Sequence, residues 1–290
     1  MSHASPKQGL RRWQDHAPAL YPGVILFCFF VIPFGIMLAV SFFHRPEGGF
    51  YEVAFELDNY AKLFTPFFGR VLGFSLGLST VAAGCCVILG FPFTYLLTRL
   101  RRRSQILWLV FILSVLSLSE VIMGFAWSTL LSRTAGVSNL FVALGLMEKA
   151  VSWSPSLGAL ICGMCFLTFP YTVLMFYPPL SRIDNEMIEA SATMGAAPAY
   201  TFFHVTVGAM RDAIVSVFVM AFVFTLGAYL LPQLLGRPQH WTLSVLITDQ
   251  AMYRSNMPQA AAMAVFLMLV SLALVALVMT FGKRKKVVRQ

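Results

Sequence analysis

The chain has 290 residues, 58% of them hydrophobic and 11% charged. That balance excludes a soluble globular protein. The formal charge of +9 fits a membrane protein if it lies on one side of the bilayer, and a nucleic-acid binder if it forms a patch.

Residues 1–19 form a tail carrying Lys7, Arg11 and Arg12. Residues 20–43 run without a charge. A membrane helix needs roughly 20 apolar residues, so this run is expected to span. It is too long for a signal-peptide core and no small-x-small cleavage site follows, so it is read as retained. Residues 44–70 are polar and acidic, with Glu47, Glu52, Glu56 and Asp58. The second span is 71–98, where Gly73 and Gly77 permit close helix contact and Pro92 is expected to kink the run. Arg99, Arg101, Arg102 and Arg103 make a basic turn. The third span is 105–132, with one charge, Glu120. A polar connection holds a short surface helix over 140–146. The fourth span, 151–181, is expected to be broken by Pro170 and closed by Pro178 and Pro179. The fifth is 213–236. Residues 237–259 are polar, the sixth span is 260–282, and 283–290 form a basic tail.

Six spans put both ends on one side. Of the 21 Lys and Arg residues, 14 fall on the side of the two tails, the Arg99 turn and the connection 182–212, and 7 on the other. The positive-inside rule places the richer side in the cytoplasm. Spread over four segments, these residues serve as topology signals and contacts to membrane phospholipid, and the nucleic-acid reading falls away. Cys28, Cys85, Cys86, Cys162 and Cys165 all lie inside apolar runs, so neither disulfides nor a metal site is expected.

The connection 182–212 is the informative stretch. It carries Arg182, Asp184, Glu186, Glu189, Arg211 and Asp212, so it sits in water or against a soluble partner. Residues 183–194 are rich in helix formers, Gly195 fits a helix C-terminus and Pro198 fits the first turn of a second helix. Glu189, Ala190 and Ser191, followed after three residues by Gly195, resemble the EAA loop of bacterial ABC importer permeases. Nine residues on, that family has Ile-x-Leu-Pro; here stand Val205, Thr206, Val207 and Gly208. Asn59, Tyr60, Leu63 and Phe64 resemble an N-Y-x-x-L-F element before the second span of such permeases. Residues 224–262, together with Ser119, Glu120, Val121, Phe125, Ala126 and Trp127, resemble the spermidine/putrescine-type branch. Met123 stands where that branch commonly has Arg, and the branch also includes permeases for opines, phosphonates and iron.

The resemblance implies an all-α membrane protein with the six-helix type I ABC importer permease fold in the bacterial inner membrane. It implies a pore subunit importing a small solute such as a polyamine or related cation. The implied partners are an ABC ATPase dimer, a second permease subunit (a copy or a relative) and a periplasmic solute-binding protein. It assigns Glu189, Ala190, Ser191, Gly195 and Pro198 to ATPase coupling. The chain has no phosphate-binding G-x-x-x-x-G-K-[ST] and no nucleophile–base pair, so no catalytic residue and no cofactor of its own are expected; ATP is used by the partner.

Glu120 is the one ionisable residue inside an expected span. A charge there costs at least ~2.5 kcal/mol, so it is expected to face a cavity or a partner. Trp127 shares its helical face, and Tyr171 and Tyr229 add aromatic faces suited to a cation. These four are the candidates for the substrate path. Two alternatives come from other classes. An ion-coupled secondary carrier would need further ionisable residues and an internal repeat, which the sequence does not show. For a non-transporting membrane scaffold subunit, pull-down of an ATPase would separate it from a carrier, and substrate-dependent ATPase stimulation would separate it from a permease.

Overall fold

The computed structural model describes residues 23–46, 49 and 51–284; the N-terminal tail and the basic tail beyond Arg284 lie outside them. Gly23–Val40, Pro66–Arg99, Leu157–Ser181 and Met257–Thr280 are each long and apolar enough to cross a membrane, and two bent helix pairs raise the number to six if each counts as one span.

The chain divides into two compact units. The first comprises residues up to 63 and Asp249–Phe266. A π-helical turn, Phe27–Val31, continues into α1, Ile32–Val40. Beyond it, Asn59 in the short helix α2 (Asp58–Ala61) is buried. Its amide donates to the carbonyls of Ser41 (3.1 Å) and Phe43 (2.9 Å), and its own carbonyl accepts from Gln259 (3.2 Å). Tyr60 adds a 2.7 Å hydroxyl contact to Ser41. The Asn-Tyr pair is thus a clip that satisfies the orphan carbonyls where the first span ends.

The second unit holds 64–248 and the chain from 267 onward. Its long helices are α3 (Pro66–Arg99) and, past α4 (Arg102–Leu116), α5 (Glu120–Leu130) and α6 (Val137–Ala143), α7 (Leu157–Ser181). Thr65 and Ser156 cap α3 and α7 through their hydroxyls. The two helices pack through small residues: Ala82, Ala83 and Cys86 are buried, and a Cβ on Gly90 would stand 3.0 Å from Thr172 Cγ2. The close approach is therefore at Gly90; Gly73 and Gly77 face open space.

Three expectations need correction. The fourth span is not broken: α7 runs through Pro170, Pro178 and Pro179, with the buried hydroxyls of Thr168 and Thr172 either side of Pro170, where membrane helices tolerate proline. The third span, by contrast, is two helices bent by 93°. No Pro or Gly marks that break. Ser114 and Ser117 each bond the carbonyl four residues back, which loosens a helix, and the chain turns at 117–119. Lastly, the polar segment 237–259 hides a buried helix, Leu243–Thr248 (α13 below). Its first amide donates to Ser75 Oγ (2.7 Å), and Ser244 Oγ donates to the carbonyl of Leu226 (2.6 Å).

After α7 come α8 (Asn185–Thr193), α9 (Pro198–Tyr200), α10 (Val207–Ala209), α11 (Arg211–Gly227), α12 (Leu230–Leu235), α13 and α14 (Met257–Arg284). The fifth span also breaks, at Ala228 and Tyr229 between α11 and α12. One core cluster joins Ala82 of α3, Met123 of α5, Met164 of α7 and Leu231 and Leu235 of α12.

Candidate functional site

The connection 182–212 is built as two helical arms around a turn. Asp184 caps α8 by accepting from the amide of Glu186 (2.9 Å). The helix ends at Gly195, whose φ is +80°, and the amide of Ala196 returns to the carbonyl of Ser191 (3.1 Å). That is a Schellman closure, in which the left-handed residue costs least as glycine. Pro198 opens α9 with its ring exposed. Ser191 Oγ lies 2.6 Å from Thr201 Oγ1, tying the arms together.

The second arm is anchored and the first is presented. A π-helical turn, Thr201–Thr206, carries Phe202 against Tyr95 (5.0 Å) and Phe91 (5.6 Å) of α3. Ile183, Val207 and Met210 pack with them on buried Phe176, Leu180 and Val217. On α8, Glu189 and Ala190 are exposed, as are Met187 (48%) and Met194 (87%). Glu189 has no hydrogen-bond or ionic partner among the described residues. An exposed carboxylate amid small residues and soft methionines makes an adaptable contact surface. Gly208 lies in α10, two residues before Met210, where the chain turns by 72° into α11.

The substrate-path candidates do not converge on one cavity. Glu120 is the first residue of α5, not the middle of a continuous span, and its Oε1 accepts from the amide of Leu231 (3.3 Å) at the start of α12. The carboxyl group therefore links the breaks in the third and fifth spans and meets the positive end of a helix. Tyr229, 40% exposed, precedes that same helix. Trp127 is half-buried, edge-on to Phe166 (5.6 Å). The Tyr171 ring lies tilted against Phe224 (4.5 Å) beside a cavity of about 100 Å³ between α7 and α11, lined also by Thr168 and Met220. Thr168 Oγ1 is buried there without a hydrogen-bond partner among the described residues.

Sequence reasoning missed Phe202 and the Ser191–Thr201 bond. The one available signal was the aromatic pair Phe202 and Phe203 inside an otherwise polar connection.

The sequence model of a family described as "Binding-protein-dependent transport system inner membrane component" matches residues 22–287. The spermidine/putrescine transport system permease protein PotB of Escherichia coli K12 is 24% identical over 247 residues, covering 85% of this chain and 89% of that one. The inner membrane ABC transporter permease protein YdcU of the same organism is 27% identical over 288 residues, covering 91% and 90%. Among solved structures, a bacterial alginate ABC transporter in complex with an alginate pentasaccharide-bound periplasmic protein aligns with TM-score 0.78 at 18% identity over 96% of both chains. At that identity the likeness speaks for the fold alone.

Proposed function

Because the chain belongs to the family of binding-protein-dependent transport system inner membrane components, we propose that it forms one half of an import pore, driven by a separate ATPase and fed by a periplasmic solute-binding protein. It is an ABC importer permease subunit with the type I fold. The carrying observation is the arm Asn185–Thr193, closed by Gly195 and offering Glu189, Ala190 and Met194 outward. Ser191 and Phe202 join that arm to α3 and α7, so a push on the arm reaches the spans. The ATPase dimer closes on ATP and moves the arm; the pore of this chain and a second permease subunit then opens outward.

The solute is read as a polyamine or related cation. Support comes from the relatives named for spermidine and putrescine and from the aromatic faces of Tyr171, Phe224 and Tyr229, which favour cations. The test uses proteoliposomes holding the chain with its co-purifying subunits, with ATP inside and radiolabelled putrescine plus the binding protein outside. ATP-dependent accumulation that unlabelled spermidine suppresses is expected. Brisk ATP hydrolysis without putrescine uptake would overturn the solute class and leave the permease reading standing. Purification without any ATPase would overturn the coupling itself.

A further inference from the structure

Residues 51–58 read Tyr-Glu-Val-Ala-Phe-Glu-Leu-Asp, apolar and acidic or small in strict alternation. In an extended chain that pattern sends the apolar side chains to one face. Residues 51–56 run antiparallel to the residues that leave α1, and Leu57 turns the chain into α2. His44 and Glu52 exchange backbone bonds of 3.1 and 2.8 Å, and the amide of Glu56 donates to the carbonyl of Phe42 (2.8 Å). A 2.9 Å contact between His44 Nδ1 and Glu56 Oε2 fixes the register.

The apolar row is exposed. Tyr51, Val53, Phe55 and Leu57 are 49, 84, 80 and 62% exposed; between them Glu52 is exposed too, while Ala54 and Glu56, the latter against His44, are half-buried. A slip of one residue would reverse the faces, and water would favour the reversed pairing. The backbone bonds and the His44–Glu56 contact hold the other one. We propose that this ribbon is a membrane-surface element, with its apolar row seated in the boundary between lipid headgroups and acyl chains at the end of the first span.

Continuity selects lipid as the occupant. The Gly23–Val40 stretch has no buried side chain and covers about 27 Å at 1.5 Å per residue, close to the ~30 Å hydrocarbon core. The ribbon's pairing partners, Phe42 and His44, follow within four residues of its end. They therefore emerge at headgroup depth, where aromatic residues concentrate. Phe42 stacks on Phe55 (4.9 Å) and Phe43 lies 5.7 Å from Tyr51, so two aromatic pairs lead off the lipid-facing helix.

The test is a nitroxide scan. The five native cysteines, all free thiols, are replaced, and single cysteines are placed at Glu52, Val53, Ala54 and Phe55 of the full chain. The labelled protein is studied in nanodiscs of phosphatidylethanolamine and phosphatidylglycerol, and collision with oxygen is compared with collision with a water-soluble nickel chelate. Labels at 53 and 55 should favour oxygen by several-fold over those at 52 and 54. Equal nickel access at all four positions would overturn the proposal in favour of an aqueous loop. Shielding of 53 and 55 from both reagents would overturn it in favour of a protein partner. A Phe55→Trp variant provides a check free of the label: brominated lipids should quench its added fluorescence, and unquenched emission counts against seating in lipid.

Discussion

Gly195→Val should cut transport and ATPase capture at least about fivefold while the protein still inserts at parental levels. Gly195 holds φ +80° and has no atom within 4 Å of where a Cβ would stand. A substitution there meets no clash within the chain, so the fold survives. What it meets is backbone strain, on the order of 1–3 kcal/mol for a non-glycine residue in the left-handed region. The strain is relieved by opening the Schellman turn, which turns Asn185–Thr193 away from the anchored arm. At about 1.4 kcal/mol per factor of ten, that range spans losses in docking from about fivefold to about 150-fold. Gly195→Asn separates conformation from bulk, because asparagine tolerates this region; it should keep most of the activity. The measurement is pull-down of the ATPase and ATP hydrolysis by the reconstituted complex, so the solute need not be known. Parental hydrolysis by the Val variant would remove the turn from the coupling machinery.

The second prediction concerns Glu120. Glu120→Ala leaves the amide of Leu231 without its acceptor, at a cost of about 1–3 kcal/mol, and frees α12 from α5. Melting in detergent should fall by several degrees, at roughly 2–4 °C per kcal/mol for a unit of this size. Glu120→Gln keeps a carbonyl in place of Oε1 and should restore most of that loss. The same pair separates a structural link from contact with the solute. If the carboxylate holds the two broken spans together, Gln uptake kinetics stay near parental. If its charge meets a cationic solute, Gln melts normally but raises KM for putrescine as much as Ala does. The 3.3 Å bond to Leu231 predicts the first result.

Much of the architecture was legible because membrane helices announce themselves by length and hydropathy. The exposed arm was legible too, since Asp184, Gly195 and Pro198 are punctuation with local causes. The breaks were not. Residues 117–119 carry no Pro or Gly, and their turn depends on serine hydroxyls competing for backbone carbonyls. The prolines of α7 misled in the opposite direction, because a membrane helix held by its neighbours continues through them. Leu243–Thr248 escaped notice because the stretch is short and itself mixed, with Ser244 and Thr248 among its apolar residues, and its first amide is satisfied by Ser75, 168 positions away. Glu120 read as a lone charge in a span because its partner is a backbone amide, which sequence does not display.

The most direct measurement is a cross-link from the presented arm. Ala190, exposed on α8, is changed to Cys in a background lacking the five native cysteines, and the complex is treated with a short bifunctional thiol reagent with and without ATP. A cross-link to the ATPase whose yield changes with nucleotide is the result predicted here. A properly inserted protein that cross-links to no ATPase in either condition would contradict the account.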